Sequence, residues 1–131
     1  MGELTEIVEY SKDYKMYPGN LAKKYEDRPA FIMASTGETV TYREFEERSN
    51  QLAHFLRNEG LKKGDHYSIF MENNNRYLES NSAGERAGLI YTCINSYLKE
   101  EELAYILVNS DSKILITSSK LFFDDNHLLN R

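Results

Sequence analysis

Residues 64–117 read GDHYSIFMENNNRYLESNSAGERAGLIYTCINSYLKEEELAYILVNSDSKILIT, and the alternation inside this stretch decides the fold class. His66–Met71 is rich in aromatic and β-branched residues and reads as a strand. Asn75–Ala87 carries helical spacing and stops at Gly88. Leu89–Ile94 is a continuous apolar run and reads as a second strand. In Glu100–Val108, Leu103, Ile106 and Leu107 form one stripe, with Asn109 placed to supply a left-handed stop. Lys113–Thr117 is the third strand, and Ser118 and Ser119 are placed to open another helix.

Strand, helix, strand, helix, strand with short connections predicts an α/β chain with a doubly wound, mainly parallel sheet. The unbroken apolar character of the last two strands predicts that both are covered on two faces, with Lys113–Thr117 an inner strand. The acidic run Glu100–Glu102 is then the solvent side of a crossover helix at its favourable, positive end.

Upstream, Thr41-Tyr-Arg-Glu44 has capping-box spacing, and Phe45, Leu52, Ala53 and Leu56 recur on one helical face before Gly60-Leu61. A helix from Thr41 to Gly60 follows. Before it, Arg28–Ala34 and Thr39–Thr41 flank Ser35-Thr-Gly-Glu38, which predicts a short β-hairpin. A phosphate loop at Ser35–Glu38 is rejected, because that motif needs several glycines, a following Lys and a helix entry. Pro18–Tyr25 suits a short helix, residues 1–17 read as a lead-in arm, and 120–131 as a tail without a defined element.

Composition narrows the function. Sixteen basic against twenty-one acidic residues among 131 give a net charge of −5 without a basic block, which argues against nucleic-acid or anionic-membrane surfaces. The chain has no leader pattern and no long apolar span, so the expected setting is cytoplasmic and without a transmembrane segment. The single Cys93 lies in an apolar run and is expected in the core. His54 has no ligand-type partner at helical spacing. Asp65 and His66 are adjacent and point apart, while Glu79 and Glu85 fall on different helix faces. The polar segments after the three strands, Glu72–Asn75, Asn95–Tyr97 and Ser118–Lys120, stand where α/β sheets bind ligands, yet none carries a nucleophile with its base or a glycine-rich loop.

Asp27–Ile32, Thr41–Ala53, Gly60–Asp65, Glu85–Gly88, Ile94–Leu98 and Glu101–Ile106, in that order and spacing, resemble the amino-terminal part of the AMP-forming acyl-CoA synthetases. The wider adenylate-forming superfamily also includes luciferases and peptide-synthetase adenylation domains. The wording of Met71–Glu79 and Ile94–Leu98 leans toward fatty-acid ligases. The resemblance spans residues 18–119 and implies the N-terminal α/β subdomain of an AMP-binding domain. It implies a parent enzyme that converts a carboxylate and ATP to an acyl-adenylate and then a thioester with coenzyme A, using Mg²⁺. The family's phosphate loop, its aromatic-Gly-x-Thr-Glu segment, its ribose-binding Asp and its C-terminal Lys have no matching positions here. The expectation is therefore no catalytic, cofactor-binding or metal residue in this stretch, no cofactor bound by it, and no catalysis by it alone.

The alternative expectation is a stand-alone interaction module derived from such an enzyme, with a homodimer through the edge of Lys113–Thr117. An unrelated doubly wound nucleotide-binding protein is disfavoured by the missing phosphate turn. Two departures from the family pattern stand out. Ser80-Asn-Ser82 weakens the buried face of its helix, and Lys99 stands where a Ser or Thr cap would contribute about 1 kcal/mol.

Overall fold

A computed structural model describes residues 19–124. The expected lead-in arm, Pro18 and residues 125–131 lie outside the described residues. The elements are α1 (Gly19–Tyr25), β1 (Pro29–Ile32), β2 (Thr39–Thr41), α2 (Tyr42–Asn58), β3 (His66–Phe70), α3 (Tyr77–Ala87), β4 (Ile90–Ile94), α4 (Glu100–Asn109), β5 (Ser112–Thr117) and α5 (Ser119–Asp124). β1 and β2 pair antiparallel as the expected hairpin, while β4, β3 and β5, in that spatial order, form a parallel sheet.

α2 begins where the sequence says it should. Thr41 Oγ1 accepts the Glu44 amide at 3.2 Å, and Glu44 returns a carboxylate oxygen to the Thr41 amide at 2.9 Å. That backbone hydrogen bond from Thr41 also holds the Glu44 carboxyl below its ordinary range. At the other end the Leu61 amide reaches back to the Leu56 carbonyl at 3.1 Å, and Gly60 takes the positive φ (94°) that the reversal requires. α3 starts at Tyr77, two residues later than expected, because Asn74 Oδ1 takes the Arg76 amide at 2.8 Å in a local turn.

β3 alternates across the sheet. Tyr67, Ile69 and Met71 face α2 and α3, in a core with Ala53, Leu56, Leu61, Ala83 and Leu89. On the opposite face, Phe70 joins Ile94 and Leu103 of α4. α3 carries the chain from β3 to its neighbour β4 over the first face, and α4 carries it back past β3 to β5 over the second. Reversing direction and face together leaves the handedness of the crossover unchanged, which is what makes the sheet doubly wound.

Two expectations are corrected here. The last two strands are not doubly covered, and Lys113–Thr117 is an edge strand rather than an inner one. The inner strand is β3, whose residues Tyr67–Phe70 are all buried although its sequence is the more polar. Its polar atoms are satisfied locally: Tyr67 donates to the Ser80 carbonyl at 2.6 Å and Ser68 shares a hydrogen bond with Ser112 at 2.6 Å.

The left-handed residue after α4 is Asp111 (φ 54°), not Asn109, which stays helical while the Ser110 amide still bonds to Ile106 at 2.8 Å. An L-residue in this region is disfavoured, whereas glycine adopts it freely. Asp111→Gly is therefore expected to stabilise the fold by about 0.5–1 kcal/mol after the extra unfolded-state entropy of glycine is offset. Urea melts of the two proteins check this.

Candidate functional site

The carboxyl ends of the three parallel strands are where this topology offers a crevice. The structure brings Glu72, after β3, to Ser118, after β5, whose hydroxyl donates to the Glu72 carboxylate. That bond is the main reason the Glu72 carboxyl sits below its ordinary range. Ser118 also accepts the Leu121 amide at 3.3 Å, capping α5. Leu121 packs against both cores, so α5 lies across the end of the sheet.

Three further crest residues bond to the hairpin or within their own loops. Asn75 donates to Glu38 of the hairpin turn at 2.7 Å, Asn74 reaches Met71 Sδ at 3.2 Å, and Asn95 Oδ1 accepts the Tyr97 amide at 3.0 Å. The Tyr97 side chain is almost fully exposed. A triphosphate asks for cations and convergent backbone amides. This crest presents the Glu72 carboxylate with Lys120 near it, and the side-chain amides of Asn74, Asn75 and Asn95. Among the described residues no group of three His, Cys, Asp or Glu side chains could hold a metal ion.

Other residues weighed in the sequence are far from the crest. Asp65 is at the amino end of the sheet, where it accepts the Lys62 amide at 2.8 Å and pairs with Lys113 at 2.9 Å. The Lys62 hydrogen bond, with Lys113 behind it, holds the Asp65 carboxyl low, so it is a structural clamp between β3 and β5 rather than half of a dyad with His66. His54 is on the exposed side of α2. Glu79 pairs with Arg76 at 3.1 Å and Glu85 accepts from Tyr91 at 3.1 Å, on separate flanks of α3. Ser80 and Ser82 are both buried, and Ser80 bonds its hydroxyl back to the Arg76 carbonyl at 2.9 Å. Glu102 accepts the Lys99 amide at 3.0 Å, but an ammonium has no lone pair to return, so α4 has half a cap.

Cys93 requires a correction: it is exposed, not in the core. β4 is an edge strand, and the Cys93 thiol donates to Asn81 Oδ1 at 3.9 Å. The Glu72–Ser118 link was not expected from the sequence, since its partners stand 46 residues apart and no local pattern announces the pair.

The architecture is that of an α/β subdomain, and the chain belongs to the AMP-binding enzyme family, whose model matches residues 20–130. It is 35% identical over 111 residues to a long-chain-fatty-acid–CoA ligase of Yersinia pestis, covering 84% of this chain and 19% of that protein. It is 32% identical over 115 residues to tyrocidine synthase 3 of Brevibacillus parabrevis, covering 87% of this chain and 2% of that protein. Among solved structures, a putative long-chain-fatty-acid CoA ligase from Rhodopseudomonas palustris superposes with a TM-score of 0.70 at 26% identity, over 79% of this chain and 25% of that one. The chain thus spans about a fifth or less of the length of these curated relatives. No helix among the described residues is long and apolar enough to cross a membrane.

Proposed function

We propose that this chain is the N-terminal α/β portion, over residues 18–119, of a cytoplasmic AMP-forming acyl-CoA ligase acting on fatty acids. The observation that carries the reading is the family match over residues 20–130, with a fatty-acid–CoA ligase among the relatives. In the proposed reaction a carboxylate oxygen attacks the α-phosphorus of ATP and pyrophosphate leaves. The thiol of coenzyme A then attacks the acyl carbon, losing its proton to solvent or a base, and AMP leaves. The activation is needed because a carboxylate cannot expel oxide, whereas a mixed anhydride expels AMP. ATP, Mg²⁺ and coenzyme A are required by this reading, and no residue described here is assigned to hold them.

The scaffold role is supported by the bond from Ser118 to Glu72 and by Leu121 of α5, which packs against both cores at this end of the sheet. Purified 1–131 is expected to show no fatty-acid-dependent exchange of pyrophosphate into ATP. A longer protein bearing this segment is expected to show that exchange and, with coenzyme A, to release AMP and a thioester. Exchange by 1–131 alone would refute the scaffold role, and a longer protein that transfers the acyl group to a carrier protein but not to coenzyme A would replace ligase with peptide-synthetase chemistry.

A further inference from the structure

β5 joins the sheet with an irregularity that β4 does not have. β4 runs beside β3 in unbroken register from His66–Ile90 to Phe70–Ile94. Along β5, Ser112 stands beside His66 but Ile114 stands beside Tyr67, so Lys113 is an extra residue with no counterpart on β3. Such a bulge interrupts the ladder and is rare between parallel strands, so other contacts must favour it over regular pairing.

The contacts at the amino end of the strands fix Ser112 and Lys113. On the α4 face Ser68 Oγ is 2.6 Å from Ser112 Oγ, which is 2.7 Å from Ser110 Oγ, and Ser110 donates to the Leu107 carbonyl at 3.3 Å. Each hydroxyl has one proton to give. Because Ser110 gives its proton to Leu107, it accepts from Ser112, which accepts from Ser68. Ser68 is fully buried, so losing Ser112 would leave its hydroxyl without an acceptor. Lys113 in turn pairs with Asp65, whose carboxylate is already held by the Lys62 amide.

The carboxyl end is fixed separately. Ser118 donates to Glu72 and accepts the Leu121 amide, and Leu121 packs against both cores. Between the two ends apolar patterning discriminates weakly. Ile114 and Ile116 now pack with Tyr67 and Ile69, and Leu115 with Phe70. Advancing this half of β5 by one residue would remove the bulge and exchange the two faces, setting Leu115 beside Ile69 and Ile116 beside Phe70. Both cores would still receive aliphatic side chains. Ser118 and Leu121 would be carried about 3.3 Å beyond the end of the sheet.

We propose that the bulge at Lys113 is one residue of slack held between these two anchors, so that release of the crest anchor lets β5 and α5 advance by one residue while the amino end stays in place. The device couples the Glu72–Ser118 contact to the register of the central sheet. Release of the amino-end anchor has the opposite result: Ser112 withdraws, Lys113 pairs with His66, and the carboxyl half is unmoved. All the residues involved belong to adjoining segments of one sheet and its flanking helices.

Interstrand nuclear Overhauser contacts in the isotope-labelled 131-residue protein read the register directly. The wild type is expected to show His66–Ser112, Tyr67–Ile114 and Ile69–Ile116 contacts. In Ser118→Ala/Leu121→Ala, Ile69–Leu115 contacts are expected to appear while His66–Ser112 is retained. In Ser68→Ala/Lys113→Ala, position 113 is expected to move beside His66 while Ile69–Ile116 is retained. Should the first double variant not fold, Ser118→Ala alone is expected to populate the advanced register at about 1–10%, within reach of saturation-transfer measurements. A variant pair that keeps every wild-type contact overturns the proposal, as does Ser118→Ala without a minor state. No ATP, fatty acid or coenzyme A enters these measurements, so their outcome is independent of the ligase reading.

Discussion

Gly84→Ala is expected to destabilise the protein by about 3 kcal/mol, the upper part of the range for an overpacked core. A β-carbon at this position would lie 2.8 Å from Cε1 and 2.9 Å from Cζ of Tyr67, and closer still to its hydroxyl. The ring has little freedom to yield, because Tyr67 is fully buried and its hydroxyl is tied to the Ser80 carbonyl at 2.6 Å. Burial is also what pushes the Tyr67 phenol well above its ordinary range, which keeps it a neutral donor near pH 7. Urea denaturation with circular dichroism measures the loss. Trimming the phenol in the double variant Gly84→Ala/Tyr67→Phe is expected to recover part of it, since the most crowded atom is removed. A cost below about 0.5 kcal/mol for the single variant would show that α3 moves away from the sheet more easily than this packing implies.

Leu56→Ala is the second large expectation, at about 3–4 kcal/mol. Leu56 is fully buried on α2, in the same cluster as Ile69 and Tyr67 of the central strand. Its neighbours are held by other constraints: the backbone carbonyl of Leu56 accepts the Leu61 amide, and Tyr67 is fixed at both ends of its ring. The vacated volume therefore cannot collapse fully, and a cavity cost adds to the lost transfer energy. Leu56→Met, which conserves volume, is expected to cost less than about 1.5 kcal/mol. Equal losses for the two variants would contradict the cavity argument.

Local signals were legible in the sequence wherever both partners stand within a few residues of each other. The Thr41–Glu44 cap, the hairpin around Gly37 and the termination of α3 at Gly88 appear as expected, because each depends on short-range hydrogen bonding and on glycine's tolerance of positive φ. The order of strands was not legible in this way. Apolar content suggested that Leu89–Ile94 and Lys113–Thr117 were covered on both faces and that the latter was an inner strand, yet the more polar His66–Phe70 holds the centre. A polar side chain is compatible with full burial when a remote group satisfies it. The groups that do so, the Ser80 carbonyl and the Ser112 hydroxyl, are placed only once α3 and β5 have docked.

The same reason accounts for Cys93. Residue preference put it inside, but its exposure follows from which strand has no neighbour, a property of the whole sheet. At the crest, each of Glu72, Asn75 and Ser118 could be picked out as polar and well placed, while the bonds from Ser118 to Glu72 and from Asn75 to Glu38 could not.

Periodicity, caps and turn residues by themselves determined that this chain alternates strand and helix as an α/β unit, and the order of its short motifs was enough to suggest the adenylate-forming family. Tertiary structure alone decided which strand is central and that Ser118 meets Glu72 across the carboxyl end of the sheet. Hydrogen bonding along the chain acts over a few residues, whereas burial depends on what the rest of the fold brings alongside.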